Sequence, residues 1–268
     1  MMNFIMNKNL KNTIFYCIGI LLVAFILQIL SFIKGNEIFF PNIIDILKAF
    51  FLSLVSKETY LYIGMTLFEL LISLLLSFII GIALGIIAGI NDAFYKILKP
   101  VMSIIRTVPI IVLILLLMFS VRISFAPVVA TSLILTTIVY EGTYQGIKNI
   151  DKDLIDVYKL DTNITPNVIF KIYIPLISSH STSSFVSCLG MGIKILITTE
   201  YICGTNNTLG KAVINASQNL EYDKIYAYSF ILVILILVIE ASPELIKFIY
   251  ERLKGNSYSL KYGITNKN

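Results

Sequence analysis

The sequence predicts an all-α polytopic membrane protein of about six transmembrane helices, with a charged loop between the fourth and fifth. Three observations carry this. Of 268 residues, 57% are hydrophobic and only 14% are charged, where a soluble domain carries about 25%, and the mean hydropathy is +0.87. The apolar residues gather into runs long enough to cross a bilayer, roughly 20 residues each. Between them lies one polar island, Asp151 to Pro175, holding Asp151, Lys152, Asp153, Asp156, Lys159, Asp161 and Lys171.

A head carrying Lys8 and Lys11 precedes a first apolar run, Ile14 to Phe32. No A-x-A-like cleavage site follows it, so it is expected to be a retained helix rather than a signal peptide. Pro41 opens an amphipathic segment, with Ile43, Ile44, Leu47, Phe50, Phe51 and Leu54 set against Asp45, Lys48 and Lys57. It is too short and charged to span, and either lies along the membrane surface or packs as an external loop.

The second span runs from about Leu61 to Ile90, with Gly81, Gly85 and Gly89 four apart. Small residues on one face let helices approach where lipid supplies no hydrophobic drive between them. Glu69 interrupts this run, and a carboxylate near mid-bilayer costs about 2.5–3.5 kcal/mol. It therefore faces protein or water, or sits at the outer interface.

Asp92, Lys96 and Lys99 form a polar turn. Val101 to Ser120 is the third span, interrupted by Arg106 and Pro109. Phe125 to Tyr140 is the fourth, with Pro127 in its first turn and a continuation into Glu141–Gly146. In the island, Ile150, Leu154, Ile155 and Tyr158 recur at helical spacing, with acids in the first turn. A bend follows at Thr162, then Thr165-Pro166 reads as an N-cap with proline at the first helical position. Two short helices outside the membrane are expected there, either an ordinary cytoplasmic loop or a surface that a partner grips.

Ile177 to Tyr201 is the fifth span and is unusually polar, holding Ser178, His180, Ser187, Lys194, Thr198, Thr199 and Glu200. A helix of this kind cannot face lipid on all sides, so it lines protein or a water-filled path. Lys194 either attracts an anion or pairs with Glu200 or Glu69. The sixth span is about Ile225 to Ile239.

Six spans place both termini and the island on one side. On it fall Lys8, Lys11, Lys96, Lys99, Arg106, Lys148, Lys152, Lys159, Lys171, Lys247, Arg252, Lys254, Lys261 and Lys267. The other side holds Lys34, Lys48, Lys57, Arg122, Lys211 and Lys224. The bias puts the termini and the island in the cytoplasm.

A net charge of +5, scattered over membrane-helix ends, excludes nucleic acid as a partner. Cys17, Cys188 and Cys203 lack paired or metal-ligand spacing, and the lone His180 has no second ligand, so no metal site is expected. Gly204…Gly210-Lys211-Ala212 misses the phosphate-loop pattern by one residue and lacks the following Ser or Thr. With no H-E-x-x-H or G-x-S-x-G either, no enzymatic activity is expected of the chain itself.

The island resembles the cytoplasmic loop of binding-protein-dependent ABC importer permeases, whose motif is E-A-A-x3-G-x9-I-x-L-P. Asp156-Val157-Tyr158, Thr162 and Ile172-Tyr173-Ile174-Pro175 stand at its positions with both gaps intact, although Asp replaces Glu, Val-Tyr replaces Ala-Ala and Thr replaces the glycine. Pro41–Phe51, the Gly81/Gly85/Gly89 run with Lys99-Pro100, Arg106-Thr107-Val108-Pro109, Thr199-Glu200 and Leu209-Gly210 are similar to the branch handling sulfonates, taurine, nitrate and thiamine precursors. Glu69 stands where that branch usually carries a basic residue.

The apolar run gives a tail and first helix over 1–40; the resemblance, which covers roughly Pro41 to Arg252, implies a permease domain over 41–255 with its coupling loop at 146–175, followed by a cytoplasmic tail over 256–268. It implies two permease copies, a separate ATP-binding subunit that holds ATP and Mg, and an extracytoplasmic solute-binding protein, with no cofactor bound by this chain. It assigns Asp151, Asp156, Val157, Tyr158, Thr162, Ile172, Ile174 and Pro175 to ATPase coupling. Glu69, Lys194 and Glu200 are the pathway candidates. The alternatives are a stand-alone secondary transporter or channel, using those three charges for ion coupling, and a non-transporting membrane assembly protein.

Overall fold

The structure, a computed structural model, describes residues 41–150 and 178–262. The expected first span and the island fall outside the described residues. Every described element is helical: α1 (Ile43–Val55), α2 (Lys57–Ile90), α3 (Asp92–Thr107), α4 (Ile110–Ser120), a 3-10 turn (Ile123–Phe125), α5 (Ala126–Lys148), α6 (Ser178–Cys203), α7 (Leu209–Gln218) and α8 (Tyr222–Tyr262). The described residues fall into two compact units, 41–60 with 212–232, and 61–150 and 178–211 with 233–262.

In the smaller unit, α1 buries Ile46, Ala49 and Ser53 and leaves Ile44, Leu47, Phe51 and Val55 exposed, so it is apolar on two sides. Its charges, Asp45 and Lys48, form an exposed ion pair.

The larger unit is organised by α2, α5 and α6. On α2, a Cβ at Gly81 would lie 2.7 Å from Val139 Cβ, at Gly85 2.6 Å from Thr143 Cβ, and at Gly89 2.8 Å from Ile147 Cβ. The three partners advance four residues at a time, as the glycines do, so α2 and α5 run parallel with backbones nearly touching. The glycine spacing predicts this face, and the packing explains it. Ser73 and Ser77 continue the stripe; each is fully buried, and each hydroxyl donates within its own helix, to Glu69 O and Leu74 O. Leu70, Leu74, Leu135, Val139, Cys188, Leu189, Ile193 and Leu196 form the main core where α2, α5 and α6 meet.

The third expected span is two helices, not one. Asn91 caps α3 by accepting from the N–H groups of Ala93 and Phe94, so the helix starts nine residues before Val101. It runs antiparallel along α5: Asp92 meets Lys148, Tyr95 stacks on Tyr144, Met102 clusters with Tyr140, and Arg106 reaches Thr137 O. Val108 is then extended (φ −62°, ψ 128°), the conformation that a following proline enforces, and α4 departs at 103°. Its Ile114 packs against Ala126, Ala130 and Cys203, so α4 crosses the start of α5 and the end of α6 instead of continuing along them.

The sixth span also differs. α8 runs 41 residues, through Pro243. Proline there removes the N–H that would bond Ile239 O, and Ser242 Oγ donates to that carbonyl at 2.7 Å instead, which lets the helix continue. By length and apolarity the described residues hold four membrane spans, or five if the bent α3–α4 pair is one. The chain is an all-α polytopic membrane protein.

Candidate functional site

Three polar groupings in the larger unit are candidates. The first is built on Glu200 at the end of α6. Gly204 N donates to Glu200 O at 2.8 Å, with Gly204 at φ 66°, the left-handed cap that ends a helix. The chain then returns so that α7 starts against the Glu200 side chain, which is fully buried. Its Oε2 accepts from Thr66 Oγ1 at 3.0 Å and from Gly210 N at 3.1 Å. Leu209 N donates to Thr66 Oγ1 at 3.1 Å, and Lys211 N to Thr208 Oγ1 at 3.3 Å. The first three N–H groups of α7 are thus all satisfied by side chains, with a carboxylate at the positive end of the helix. Gly210 permits the approach: a Cβ there would lie 2.5 Å from both Glu200 Cβ and Tyr201 N.

Glu69 lies three residues beyond Thr66 on α2, about one helical turn from this carboxylate. It too is buried, and its Oε2, like Oε1 of Glu200, has no hydrogen-bond partner. Neither carboxylate forms an ion pair among the described residues. The structure therefore brings two of the sequence-predicted pathway residues to one buried seam and places Glu200 as a structural anchor there.

The third predicted residue sits elsewhere. Lys194 pairs with Glu240 of α8 at 2.7 Å, with neither Glu200 nor Glu69. Gly190 leaves room for the pair, since a Cβ there would meet Glu240 Oε1 at 2.7 Å. The lysine side chain is 57% exposed and the glutamate 39%. They lie on a face of α6 where Ser187, Met191, Lys194, Thr198 and Tyr201 all point out of the chain, spaced alternately by four and three. Charges exposed on a membrane span meet water or another protein, so this face is suited to line a path.

The third grouping stands where α5 leads into the island. Lys148 Nζ lies 2.7 Å from Asp92 Oδ1. Beside the pair, the Tyr95 and Tyr144 rings stack at 4.1 Å and 1°, with Lys99 over Tyr95 and Lys148 over Tyr144. This fastens the root of the island to α3. The coupling residues Asp151, Asp156, Val157, Tyr158, Thr162, Ile172, Ile174 and Pro175 lie outside the described residues.

Sequence reasoning missed Thr66 and Glu240. Thr66 is unremarkable in an apolar run, and its bond to Glu200 joins residues 134 apart. Glu240 follows the apolar stretch of its span directly, where a carboxylate reads as a helix-end charge.

The family model for the binding-protein-dependent transport system inner membrane component matches residues 81–254. Among solved structures, the chain is similar to one of the MetNI methionine ABC transporter in an inward-facing conformation. The TM-score is 0.59 at 15% identity, covering 69% of this chain and 92% of that one. A search of curated proteins returns no match.

Proposed function

The chain belongs to the family of binding-protein-dependent transport system inner membrane components, and we propose that it forms the solute pathway of an ATP-driven importer through the outward face of α6. The observation that carries this reading is the exposed Lys194–Glu240 pair, with Met191 and Thr198, on helices otherwise apolar enough to lie in lipid. A second copy of the chain would close the path. The island would dock into a separate ATP-binding subunit, with Asp156 and Tyr158 as contacts, Thr162 as the bend, and Ile172 and Pro175 as the anchor to α6. An extracytoplasmic binding protein would deliver the solute, a small organic anion or a nitrogen- or sulfur-containing nutrient.

In this reading α5, the Tyr95–Tyr144 stack and α3 form the arm through which the island moves the membrane part. Its ion pair is exposed, and such pairs contribute only about 0–1 kcal/mol. The ring stack and the Gly89–Ile147 contact carry most of the stiffness. Both termini and the island are cytoplasmic here.

The test is co-purification of the tagged chain with the ATP-binding subunit from its own host. Asp156→Arg combined with Tyr158→Ala releases that subunit while the membrane part keeps its melting temperature. Retention of the subunit by the double variant removes the docking assignment.

A further inference from the structure

Resting on that permease reading, we propose that Arg106 is the cation that receives the anionic group of the solute.

Position along α5 is the first support. Arg106 Nη2 donates to Thr137 O at 3.2 Å, and Thr137 is the middle residue of the 23-residue α5. α3 carries Arg106 along α5 from the Asp92–Lys148 end to the level of Thr137 before the chain breaks at Pro109. α3 descends along α5, and α4 lies across its start.

Pairing is the second. The guanidinium offers five donors in a fixed fork, and the Thr137 carbonyl accepts from one nitrogen. No carboxylate pairs with it among the described residues. Lys194 differs, because its charge is matched by Glu240 at 2.7 Å. An arginine turned to lipid within a bilayer costs up to about 2.5–3.5 kcal/mol on insertion scales, a cost that water or an anion removes.

The third is the face on which it lies. Three sides of α3 separate cleanly on a 3.6-residue wheel. Phe94, Leu98, Met102 and Ile105 pack inward, while Ile97, Val101 and Ile104 are exposed and apolar. Lys96, Lys99, Ser103, Arg106 and Thr107 make a third, exposed and polar side, which also carries Asp92, paired with Lys148. The net positive charge of this side raises the local concentration of anions around Arg106. Three residues beyond it, α4 starts on Pro109 without a side-chain cap, so its positive end adds to the same field. A planar fork suits a sulfonate, carboxylate or nitrate group, each of which presents paired oxygens.

The test does not require the solute to be identified. In the full chain with Cys17→Ser, the remaining Cys188 and Cys203 are buried, and Ser103→Cys places a thiol one turn from Arg106. Its modification rate is measured with two soluble methanethiosulfonates of similar size, one bearing a sulfonate and the other a trimethylammonium. We expect the sulfonate reagent to react faster. Arg106→Gln should lower the ratio of the two rates about tenfold, as expected for a charge some 6 Å away in a partly wet site, and Arg106→Lys should restore most of it. Thr107→Cys serves as reporter if Ser103→Cys does not fold. A thiol that neither reagent reaches, or a ratio unmoved by Arg106→Gln, overturns the proposal. Co-purification of the ATP-binding subunit is scored on the same preparations. Its absence with the charge preference intact removes the permease reading but leaves an anion site; its presence without the preference removes only the site.

Discussion

Gly210→Ala is the sharpest perturbation available. The new methyl group would sit 2.5 Å from Glu200 Cβ, 2.5 Å from Tyr201 N and 2.7 Å from Glu200 C. Two of those atoms are backbone, so no side-chain rotation makes room, and α7 must back away from α6. Overpacking of this kind costs about 1–3 kcal/mol. The retreat also stretches the Gly210 N–H bond to the buried Glu200 carboxylate, and a hydrogen bond to a charged group contributes about 1.5–3 kcal/mol. Since relief of one strain worsens the other, the two effects overlap, and the expected loss is about 3 kcal/mol. For a protein of this size that corresponds to a fall in Tm of about 6–12 °C. The assay is thermal unfolding of the purified chain in detergent micelles. Gly64→Ala is the matched control: it lies in the interior of α2 with nothing within 4 Å of its would-be Cβ. Alanine there should be neutral or stabilising by up to about 1 kcal/mol, because it is the better helix former. Equal Tm values for the two variants would refute the close-approach argument.

Other substitutions separate the remaining contacts. Glu200→Gln keeps an oxygen for Thr66 or Gly210 and should lose about 1–2 kcal/mol, whereas Glu200→Ala strands both donors in a buried site and should lose about 3–4; equal melting curves would remove the carboxylate's capping role. Lys194→Met and Glu240→Gln should each lower Tm, and the double variant should fall short of the sum by about 1 kcal/mol in a double-mutant cycle; strict additivity would mean the pair is not formed. Reversing the exposed pair with Asp92→Lys and Lys148→Asp together should leave Tm within the change expected for about 1 kcal/mol, while Tyr144→Ala, which removes the stacked ring, should cost more.

Which features could be anticipated from the chain alone follows from how local they are. The glycine face of α2 is visible because three small residues at one spacing admit a single arrangement, a neighbour pressed against them. The fifth span's outward polar face is visible for a similar reason, since lipid refuses serines, threonines and a lysine. Pro109 marks a break in the third span, but a proline names only the place. The 103° turn depends on what α4 finds to pack against: Ala126 and Ala130 are separated from it by one loop, and Cys203 by about a third of the chain. Arg106 stands in the last turn of α3, as the linear order suggests, and the antiparallel packing of α3 on α5 is what brings it level with Thr137. The Glu200 network was half legible. Thr199-Glu200 and Leu209-Gly210 resemble one family branch as two separate segments, and the fold explains their joint occurrence, because the glycine exists to let α7 reach the glutamate. Thr66 could not be foreseen, since no periodicity links it to a residue 134 positions away.

Central to this mechanism is a membrane pathway whose access is set by ATP on another polypeptide. The most direct measurement uses Thr198→Cys, on the outward face of α6, in the assembled complex with Cys17→Ser. Labelling by a membrane-impermeant maleimide is compared from each side of sealed vesicles, with and without ATP and vanadate. The accessible side should switch when nucleotide is trapped. Labelling from the same side at the same rate in both conditions would contradict it.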